Sequence, residues 1–314
     1  MGVIRSPGHA LRGLVVALLA ALLLAGARSP APARGVAPLA PIVGEPQKTL
    51  VEPEDTLLDV AYRFRLGFDR VARLNPGVSV WIPNPGTVVD LPTEHILPDV
   101  PHEGLVINVP EMQLYDFTRR GGPEIYAIAI GDEMDPSLIG TFRIGAKREH
   151  PAWTVPASIR AEKPELPAVV APGPDNPLGD YWMTIGNTTY GVHGTNNPWS
   201  IGRMATHGCV RLYNDQMAKL FAHIKVGTPV RLMYESVKLG RRGDGIYLEA
   251  HPDLYGREPD RAEAALQRLD ALGLASAVDA ARLRRAIADE QGVPIRIGTL
   301  PPEATTPATS RSAS

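Results

Sequence analysis

The stretch from Tyr190 to Leu212 reads YGVHGTNNPWSIGRMATHGCVRL and contains Cys209, the only cysteine of this 314-residue chain. It also contains two of the eight histidines, His193 and His207, each followed directly by glycine. One cysteine cannot form an internal disulfide, and a zinc site needs more soft ligands than a single thiolate. A cysteine with a nearby histidine suits covalent catalysis, in which the thiolate attacks and the histidine carries the proton. The stretch therefore predicts a nucleophilic cysteine, with no metal and no other cofactor.

Glycine precedes the predicted nucleophile in the run Thr206-His207-Gly208-Cys209. Glycine adopts backbone angles that other residues avoid, and it lets a substrate approach the main chain. A sharp turn at this point would present the sulfur to a substrate. We expect the backbone N–H groups of Gly208 and Cys209 to stabilise an oxyanion there.

The order HGT, a short spacer and then THGCVR resembles the signature of the L,D-transpeptidase catalytic domain (YkuD-type) family. That signature is a first histidine, a spacer and then Ser/Thr-His-Gly-Cys, often with arginine two residues later. Here His193, Thr206 and Cys209 occupy the corresponding positions without departure from the core pattern. The resemblance extends over roughly residues 104–235. It implies a mainly β, YkuD-type β-sandwich with a packed helix.

The resemblance also implies roles for individual side chains. Cys209 is expected to be the nucleophile and His193 the general base, with its imidazole oriented by a main-chain carbonyl near Gly194. His207 is a further catalytic candidate. Its alternative roles are to shape the turn or to form a hydrogen bond with the substrate. Arg211 is expected to bind either a substrate carboxylate or an acidic neighbour. The remaining candidates for the substrate groove are Gly208, Gly194, Trp199 and Arg203, with packing as the alternative for the tryptophan.

By the same resemblance, Cys209 attacks the carbonyl between the third and fourth residues of a peptidoglycan stem and releases D-alanine. An amine then resolves the thioester. The acceptor is left open between another stem peptide, a lysine of an outer-membrane lipoprotein, and water, which would make a carboxypeptidase or amidase. A cell-wall cysteine hydrolase of the NlpC kind fits less well, because its cysteine precedes its histidine by a long interval. A non-catalytic peptidoglycan-binding protein is disfavoured by the intact Thr-His-Gly-Cys run.

Composition excludes one class of partner. The chain has 32 Lys+Arg against 34 Asp+Glu, so the near balance predicts no nucleic-acid partner. An apolar content of 44% is enough for a buried core. The 31 prolines and 30 glycines suit a β-rich protein with many turns.

The N-terminus reads as an export signal over residues 1–27. Two arginines precede an unbroken apolar run from Gly13 to Leu24, and small residues follow at 25–27. An uncleaved anchor is the alternative, although the run is short for a spanning helix. Export predicts a periplasmic protein with no stable membrane span after cleavage. Because oxidising compartments pair structural cysteines, a lone cysteine there favours a reactive thiol.

A Pro/Ala-rich linker, residues 28–47, is expected to remain unfolded. Residues 48–92 then predict strand–helix–helix–strand, with Asp55 or Thr56 capping the first helix. The pattern E-x-x-D-T-L, then N-P-G and a final L-P, resembles a LysM domain. That resemblance implies a small α+β domain that binds peptidoglycan glycan of the N-acetylglucosamine type. The alternative is a cap that packs on the catalytic domain without affinity for carbohydrate.

The catalytic domain is predicted over residues 100–236, with strands and one helix that starts at Asn214 or Asp215. A proline-rich loop over residues 160–180 shows no pattern of regular structure, and it either borders the substrate groove or is a surface excursion. A largely helical C-terminal extension is predicted over residues 237–300, with amphipathic helices at residues 262–272 and 277–289. Residues 301–314 are low in complexity and are expected to be disordered.

Overall fold

The computed structural model describes Gly2 and residues 38–302. The predicted signal peptide, the first part of the predicted linker and nearly all of the predicted disordered tail therefore lie outside the described residues. Within the described part of the chain, no helix combines the length and the apolar character that a membrane crossing requires.

Strands dominate the described residues, with six short or medium α-helices between them. The first strands are β1 (Ala40–Val43), β2 (Gln47–Leu50), β3 (Val88–Leu91), β4 (His95–Ile96), β5 (Leu105–Asn108), β6 (Gln113–Asp116), β7 (Glu124–Ala127), β8 (Ile130–Gly131), β9 (Gly140–Glu149) and β10 (Trp153–Thr154). The later strands are β11 (Val169–Val170), β12 (Tyr181–Ile185), β13 (Gly191–His193), β14 (Met204–Thr206), β15 (Val210–Arg211), β16 (Pro229–Met233), β17 (Val237–Arg242), β18 (Gly245–Ala250) and β19 (Ile295–Thr299). The helices are α1 (Leu57–Arg63), α2 (Phe68–Leu74), α3 (Ala157–Glu162), α4 (Asn214–His223), α5 (Arg261–Ala271) and α6 (Ala280–Asp289).

The largest sheet has eight strands in the order β15-β13-β12-β9-β16-β5-β6-β7. Its pairs are antiparallel except β13 with β15 and β16 with β5. Helix α4 packs Met217, Leu220 and Phe221 into the apolar core that the strands share. The amphipathic spacing of these residues predicted that contact. The prediction of a mainly β catalytic domain with one packed helix is confirmed.

The N-terminal module, residues 47–91, has the predicted order strand–helix–helix–strand, with β2 and β3 paired antiparallel. Thr56 is the N-cap of α1, and its hydroxyl accepts from the N–H of Asp59 at 3.2 Å. The Asp59 carboxylate in turn accepts from the N–H of Thr56 at 2.8 Å, which completes a capping box. The module has its own small apolar core, formed by residues such as Leu57, Val60 and Val71.

The remaining large sheet has five strands in the order β19-β18-β17-β1-β4. It corrects two predictions. The predicted linker supplies β1, which pairs parallel with β17 through Ala40 and Gly240. The C-terminal extension contains the two expected helices, but the prediction that it is largely helical missed β17, β18 and β19. Those strands form because Ile246, Leu248 and Ile297 share a buried core with α5 and α6.

The proline-rich loop is also more ordered than predicted. Helix α3 ends at Glu162 inside the predicted span, and β11 pairs antiparallel with β10 through Val170 and Trp153. The buried Asn176 side chain donates to the carbonyl of Pro151 at 2.8 Å. Side-chain amides that bond the main chain replace a regular hydrogen-bond ladder in this segment.

Candidate active site

The parallel pairing of β13 with β15 places the predicted catalytic residues beside one another. His193 is opposite Arg211, and Val192 is opposite Val210. Continuing this register by one residue places Cys209 opposite Gly191. Since alternate residues of a strand face the same side, Cys209, His193 and Arg211 share one face of the sheet.

An indole ring covers the histidine on this face. Trp182 is the antiparallel partner of His193, and the two rings stack with centroids 5.5 Å apart. A Cβ atom on Gly191 would lie 2.4 Å from a ring carbon of Trp182. A side chain at position 191 would therefore displace the indole, so the site needs glycine there.

His193 is buried, with 3% of its surface exposed. Its Nδ1 lies 2.7 Å from the carbonyl oxygen of Gly194, which is the main-chain contact expected from the sequence. Burial, followed by the positive charge of Arg211, lowers the pKa of His193 to about 3. The carbonyls of Gly194 and Leu178 oppose this shift only in part. The imidazole is therefore neutral near pH 7, and Nδ1 carries its proton toward the carbonyl.

Burial raises the pKa of the Cys209 thiol above its ordinary value. A backbone hydrogen bond from Gly191 and the charge of Arg211 act in the opposite direction and are smaller. Because His193 is uncharged and desolvation penalises a thiolate, these effects do not offset burial, and the resting thiol is protonated near pH 7.

The turn before Cys209 has the conformation that glycine permits. Gly208 has a φ of +91°, and a Cβ there would lie 2.4 Å from the ring of Tyr190. The buried Thr206 hydroxyl donates to the carbonyl of Cys209 at 2.7 Å. Ser137, also buried, donates to the carbonyl of Gly208 at 3.2 Å. Two hydroxyls thus fix the carbonyls of the Gly208–Cys209 and Cys209–Val210 peptides, which flank the nucleophile.

Arg211 is half-buried beside Cys209 and His193. Its Nη1 donates to the hydroxyl of Ser200 at 3.1 Å, while its buried Nε has no hydrogen-bond partner. Among residues 38–302, no carboxylate lies within ion-pair distance of this guanidinium. A buried cation without a carboxylate is costly, so the geometry favours an anionic or strongly polar ligand as its partner.

His207 contacts a different set of groups from His193. Its Nε2 lies 3.1 Å from the carboxylate of Glu162 at the end of α3. Ligand atoms of His207, Glu162 and Asp135 all lie within 4.8 Å of one another, which is a donor set that a divalent cation accepts. His207 thus links the Cys209 turn to the segment predicted as a proline-rich loop.

A second trio with metal-ligating atoms, His95, Glu111 and Glu249, is fully buried. The ammonium of Lys238 lies 2.8 Å from Glu111 and 3.2 Å from Glu249. Arg70 of the N-terminal module adds a contact of 3.7 Å to Glu249. Because protein cations already neutralise these carboxylates, we read this cluster as an internal ion-pair network and not as a metal site.

Trp199 and Arg203, which were candidates for the substrate groove, contact the N-terminal module. Both belong to the spacer loop, residues 194–203, which joins β13 to β14. The Trp199 ring packs against Tyr62 of α1 with centroids 5.1 Å apart, and 42% of its surface stays exposed. The guanidinium of Arg203 lies 4.2 Å from the ring centroid of Phe68. A packing role, which the sequence left open for the tryptophan, accounts for these contacts.

Several side chains around the site were not singled out from the sequence. Trp182 stacks on His193, Ser200 binds Arg211, and Ser137 holds the Gly208 carbonyl. Tyr255, from the C-terminal extension, donates to the carbonyl of Gly131 at 2.7 Å and accepts from the N–H of Ser137 at 3.2 Å. Only for Trp182 does the sequence hold a cue, because residues 181–185 and 189–192 flank the turn residues Gly186-Asn187 as the two strands of a hairpin do.

Residues 102–232 match the family model described as the L,D-transpeptidase catalytic domain. A probable L,D-transpeptidase, YbiS of Escherichia coli K12, is 35% identical over 276 residues, covering 82% of this chain and 88% of that protein. The probable L,D-transpeptidase ErfK/SrfK of Salmonella typhimurium is 33% identical over 274 residues, covering 82% and 87%. A crystal structure of an L,D-transpeptidase from Mycobacterium tuberculosis H37Rv aligns with a TM-score of 0.33 at 13% identity, covering 48% of this chain and 73% of that one.

Proposed function

The chain belongs to the L,D-transpeptidase family and is an enzyme of that class, and from this premise we propose that Cys209 carries the transferred acyl group as a thioester. The observation that carries the proposal is the shared sheet face of Cys209, His193 and Arg211. The family acts on peptidoglycan, so the donor is a stem peptide.

In the first half-reaction, the Cys209 sulfur bonds to the carbonyl carbon between the third and fourth stem residues. His193 takes the thiol proton as the attack proceeds, because both groups are neutral in the resting site. The C–N bond then breaks, and the imidazolium returns this proton to the leaving D-alanine amine. The backbone N–H groups of Gly208 and Cys209 are the oxyanion donors in this scheme.

In the second half-reaction, an amine attacks the thioester and Cys209 leaves as the thiolate. The acceptor amine loses a proton to His193, which passes it to the sulfur. The proposed acceptor is the side-chain amine of a second stem, which gives a 3→3 crosslink. A lipoprotein lysine would use the same chemistry, and we expect Arg211 to bind a carboxylate of the substrate.

Mass spectrometry of muropeptides after incubation with the enzyme tests this reaction. We expect dimers joined 3→3, with loss of the fourth residue from the donor stem. Tripeptide stems without dimers would identify water as the acceptor. A lipoprotein-derived lysine on the stem would identify lipoprotein attachment. Unchanged muropeptides with an active Cys209 would contradict the proposal.

We also propose that the N-terminal module binds peptidoglycan glycan, as its LysM-like pattern implies. Trp81 and Ile82 support this, since 63% and 82% of their surfaces are exposed in the loop before β3. Exposed aromatic rings stack well on sugar faces. Trp81→Ala in the full-length protein should reduce retention on purified peptidoglycan, while Val226→Ala, also at an exposed apolar residue, should not. Equal retention of both variants would leave the module with a packing role alone.

Finally, we propose that the enzyme works in the periplasm after removal of residues 1–27. The apolar run and the small residues at 25–27 support this. N-terminal sequencing of the mature protein should begin near Arg28. A mature protein that retains Met1 would favour a membrane anchor.

A further inference from the structure

The N-terminal module rests on the spacer loop through a close contact between two main chains. A Cβ on Gly202 would lie 2.4 Å from the Cα of Gly67, and a Cβ on Gly67 would lie 3.1 Å from the Cα of Gly202. Next to this contact, the N–H of Phe68 donates to the carbonyl of Ile201 at 3.2 Å. The two main chains can approach so closely only because both residues at the contact are glycine.

Polar contacts on one side of this glycine pair extend the interface to the start of α4. The hydroxyl of Tyr213 donates to the carbonyl of Leu66 at 2.9 Å. The guanidinium of Arg65 forms an ion pair of 2.9 Å with Asp215. Tyr213 follows Arg211 by only two residues, so the module is fixed to the chain on both sides of the reaction centre.

The opposite side of the spacer loop faces the catalytic sheet. Ile201 is buried in a small cluster with Ala127, Ala129 and Tyr213. The N–H of Gly202 donates to the carbonyl of Ile128 at 3.0 Å. The loop is therefore held between the module and the sheet, and its position depends on both.

Ser200 connects this loop to the reaction centre. Only 5% of its surface is exposed, and its hydroxyl accepts from Nη1 of Arg211 while donating to the carbonyl of Asn197 at 2.7 Å. It is the only side-chain hydrogen-bond partner of Arg211 within the described residues. Displacement of residues 199–202 would therefore release the guanidinium that lies beside Cys209 and His193.

We propose that Ser200 is a positioning residue for Arg211, and that the N-terminal module holds Ser200 in place by packing on the spacer loop. The module is thus a structural part of the reaction centre as well as a candidate glycan-binding unit. This inference rests on the proposed role of Cys209 as nucleophile. The Gly67–Gly202 contact therefore positions Ser200, in addition to any stability that it gives the fold.

The test is the pH dependence of Cys209 alkylation by iodoacetamide in the full-length protein. Cys209 is the sole thiol of the chain, so all label reports on it. Arg211 is the charged group that favours the thiolate, and His193 beside it is neutral. If Arg211 loses its position, the alkylation profile moves to higher pH. Arg211→Gln provides the reference for complete loss of this charge.

Gly202→Ala is the main variant, and Gly227→Ala is its matched control. Both glycines have positive φ, +81° and +87°, but a Cβ on Gly227 meets nothing within 4 Å. Both variants carry similar backbone strain, whereas only Gly202→Ala pushes the module away. We expect Gly202→Ala and Ser200→Ala to react about threefold or more slowly at neutral pH, with a shifted profile. Gly227→Ala should follow the wild type.

Wild-type profiles for both Gly202→Ala and Ser200→Ala would overturn the proposal. If Gly202→Ala does not fold, Ser200→Ala together with Trp199→Ala decides the question, since the latter removes only a half-exposed contact with Tyr62. Alkylation needs no peptidoglycan, so this result is separate from the muropeptide experiment. A shifted profile together with unchanged muropeptides would support the positioning role and contradict the proposed reaction.

Discussion

Arg211 acts on both of the neutral groups that the proposed reaction uses. Its charge lowers the pKa of the Cys209 thiol and lowers that of His193. It therefore favours the thiolate and opposes the imidazolium. If the proton moved to His193 before the attack, Arg211 would stabilise the resulting thiolate but destabilise the resulting imidazolium. A concerted step, in which the proton leaves as the sulfur attacks, avoids forming a buried ion pair in advance.

Replacement of Cys209 gives the sharpest prediction for a single residue. A carbapenem presents a strained β-lactam carbonyl, which a nucleophilic thiolate opens to form a covalent adduct. Intact-mass spectrometry should show one drug adduct on the wild type and none on Cys209→Ala. Cys209→Ser should be nearly inactive, because a hydroxyl is a far poorer nucleophile without a stronger base. An adduct on Cys209→Ala would contradict both the nucleophile and the thioester.

Replacement of His193 tests the proposed base. His193→Ala should keep the fold but acylate about 100-fold or more slowly, as expected for loss of general-base assistance. Acylation by a slow substrate, followed by mass spectrometry at several times, measures the rate. His207→Ala is the comparison, and we expect a smaller loss because His207 contacts Glu162. Normal acylation by His193→Ala would show that another group is the base.

Sequence reasoning identified the residues of the reaction centre that belong to one short motif. Cys209 and His193 are 16 positions apart within that motif, and the structure pairs their strands directly. Ser137 and Tyr255 could not be found in this way. Ser137 reaches the Cys209 turn from a distant part of the chain, Tyr255 in turn contacts Ser137, and neither carries a local pattern.

Among the elements, α1 offers a direct test of local stabilisation. The capping box predicts that Thr56→Ala lowers the free energy of unfolding by about 1 kcal/mol. Thr56→Ser keeps the hydroxyl and should stay close to the wild type. Chemical denaturation of the two variants measures the difference. An equal loss in both would mean that the threonine methyl group, and not the cap, stabilises the helix.

The helices were easier to predict than the short strands. Helices α5 and α6 show their apolar spacing within one segment, and both are found near the predicted positions. Strand β1 has four residues and pairs with β17, almost 200 positions later. A strand that short has no periodicity to recognise, so its partner determines its conformation.

Across the whole molecule, the ion-pair network joins the three parts of the chain. Arg70 belongs to the module, Glu111 and Tyr115 to the catalytic domain, and Lys238 and Glu249 to the extension. The hydroxyl of Tyr115 donates to Glu111, and Lys238 donates to the carbonyl of Ile96 at 2.6 Å. The interior tolerates this many charged groups because nearly all of them are paired with a group of opposite charge or a hydrogen-bond partner.

The buried histidines of the network contribute stability that is lost in mild acid. Burial, followed by the charge of Arg70, lowers the pKa of His95 to about 4, and burial also lowers that of His251. Unfolded histidines bind protons from about pH 6.5 downward, so the unfolded state takes up protons that the folded state refuses. The contribution of these histidines is therefore complete above that pH and is lost as pH falls toward 4. Glu235, whose pKa burial raises to about 7, opposes this loss, so the histidine contribution is the difference between the wild type and a His95 variant. Glu111 and Glu249, whose pKa values are also lowered, add to the loss only below about 4.5.

Chemical denaturation at pH 7 and pH 5 measures this decline. His95 alone should account for about 2 kcal/mol between these two values. His95→Asn keeps a donor near the position of Nδ1 but cannot be protonated, so its stability should depend less on pH. The same decline in wild type and variant would show that His95 is not the group responsible.

The contact of Lys238 with Glu111 also limits how such a chain can be recombined in evolution. Suppose that crossing-over near residue 236 replaced the extension with one that lacked a lysine at this position. The carboxylate of Glu111 would stay enclosed without its cation, a change that costs about 3–5 kcal/mol. Crossing-over near residue 92 could likewise replace the N-terminal module with one that lacked Arg70, and Glu249 would then lose that cation. Although its sequence divides into three parts, the protein is expected to be inherited as a unit.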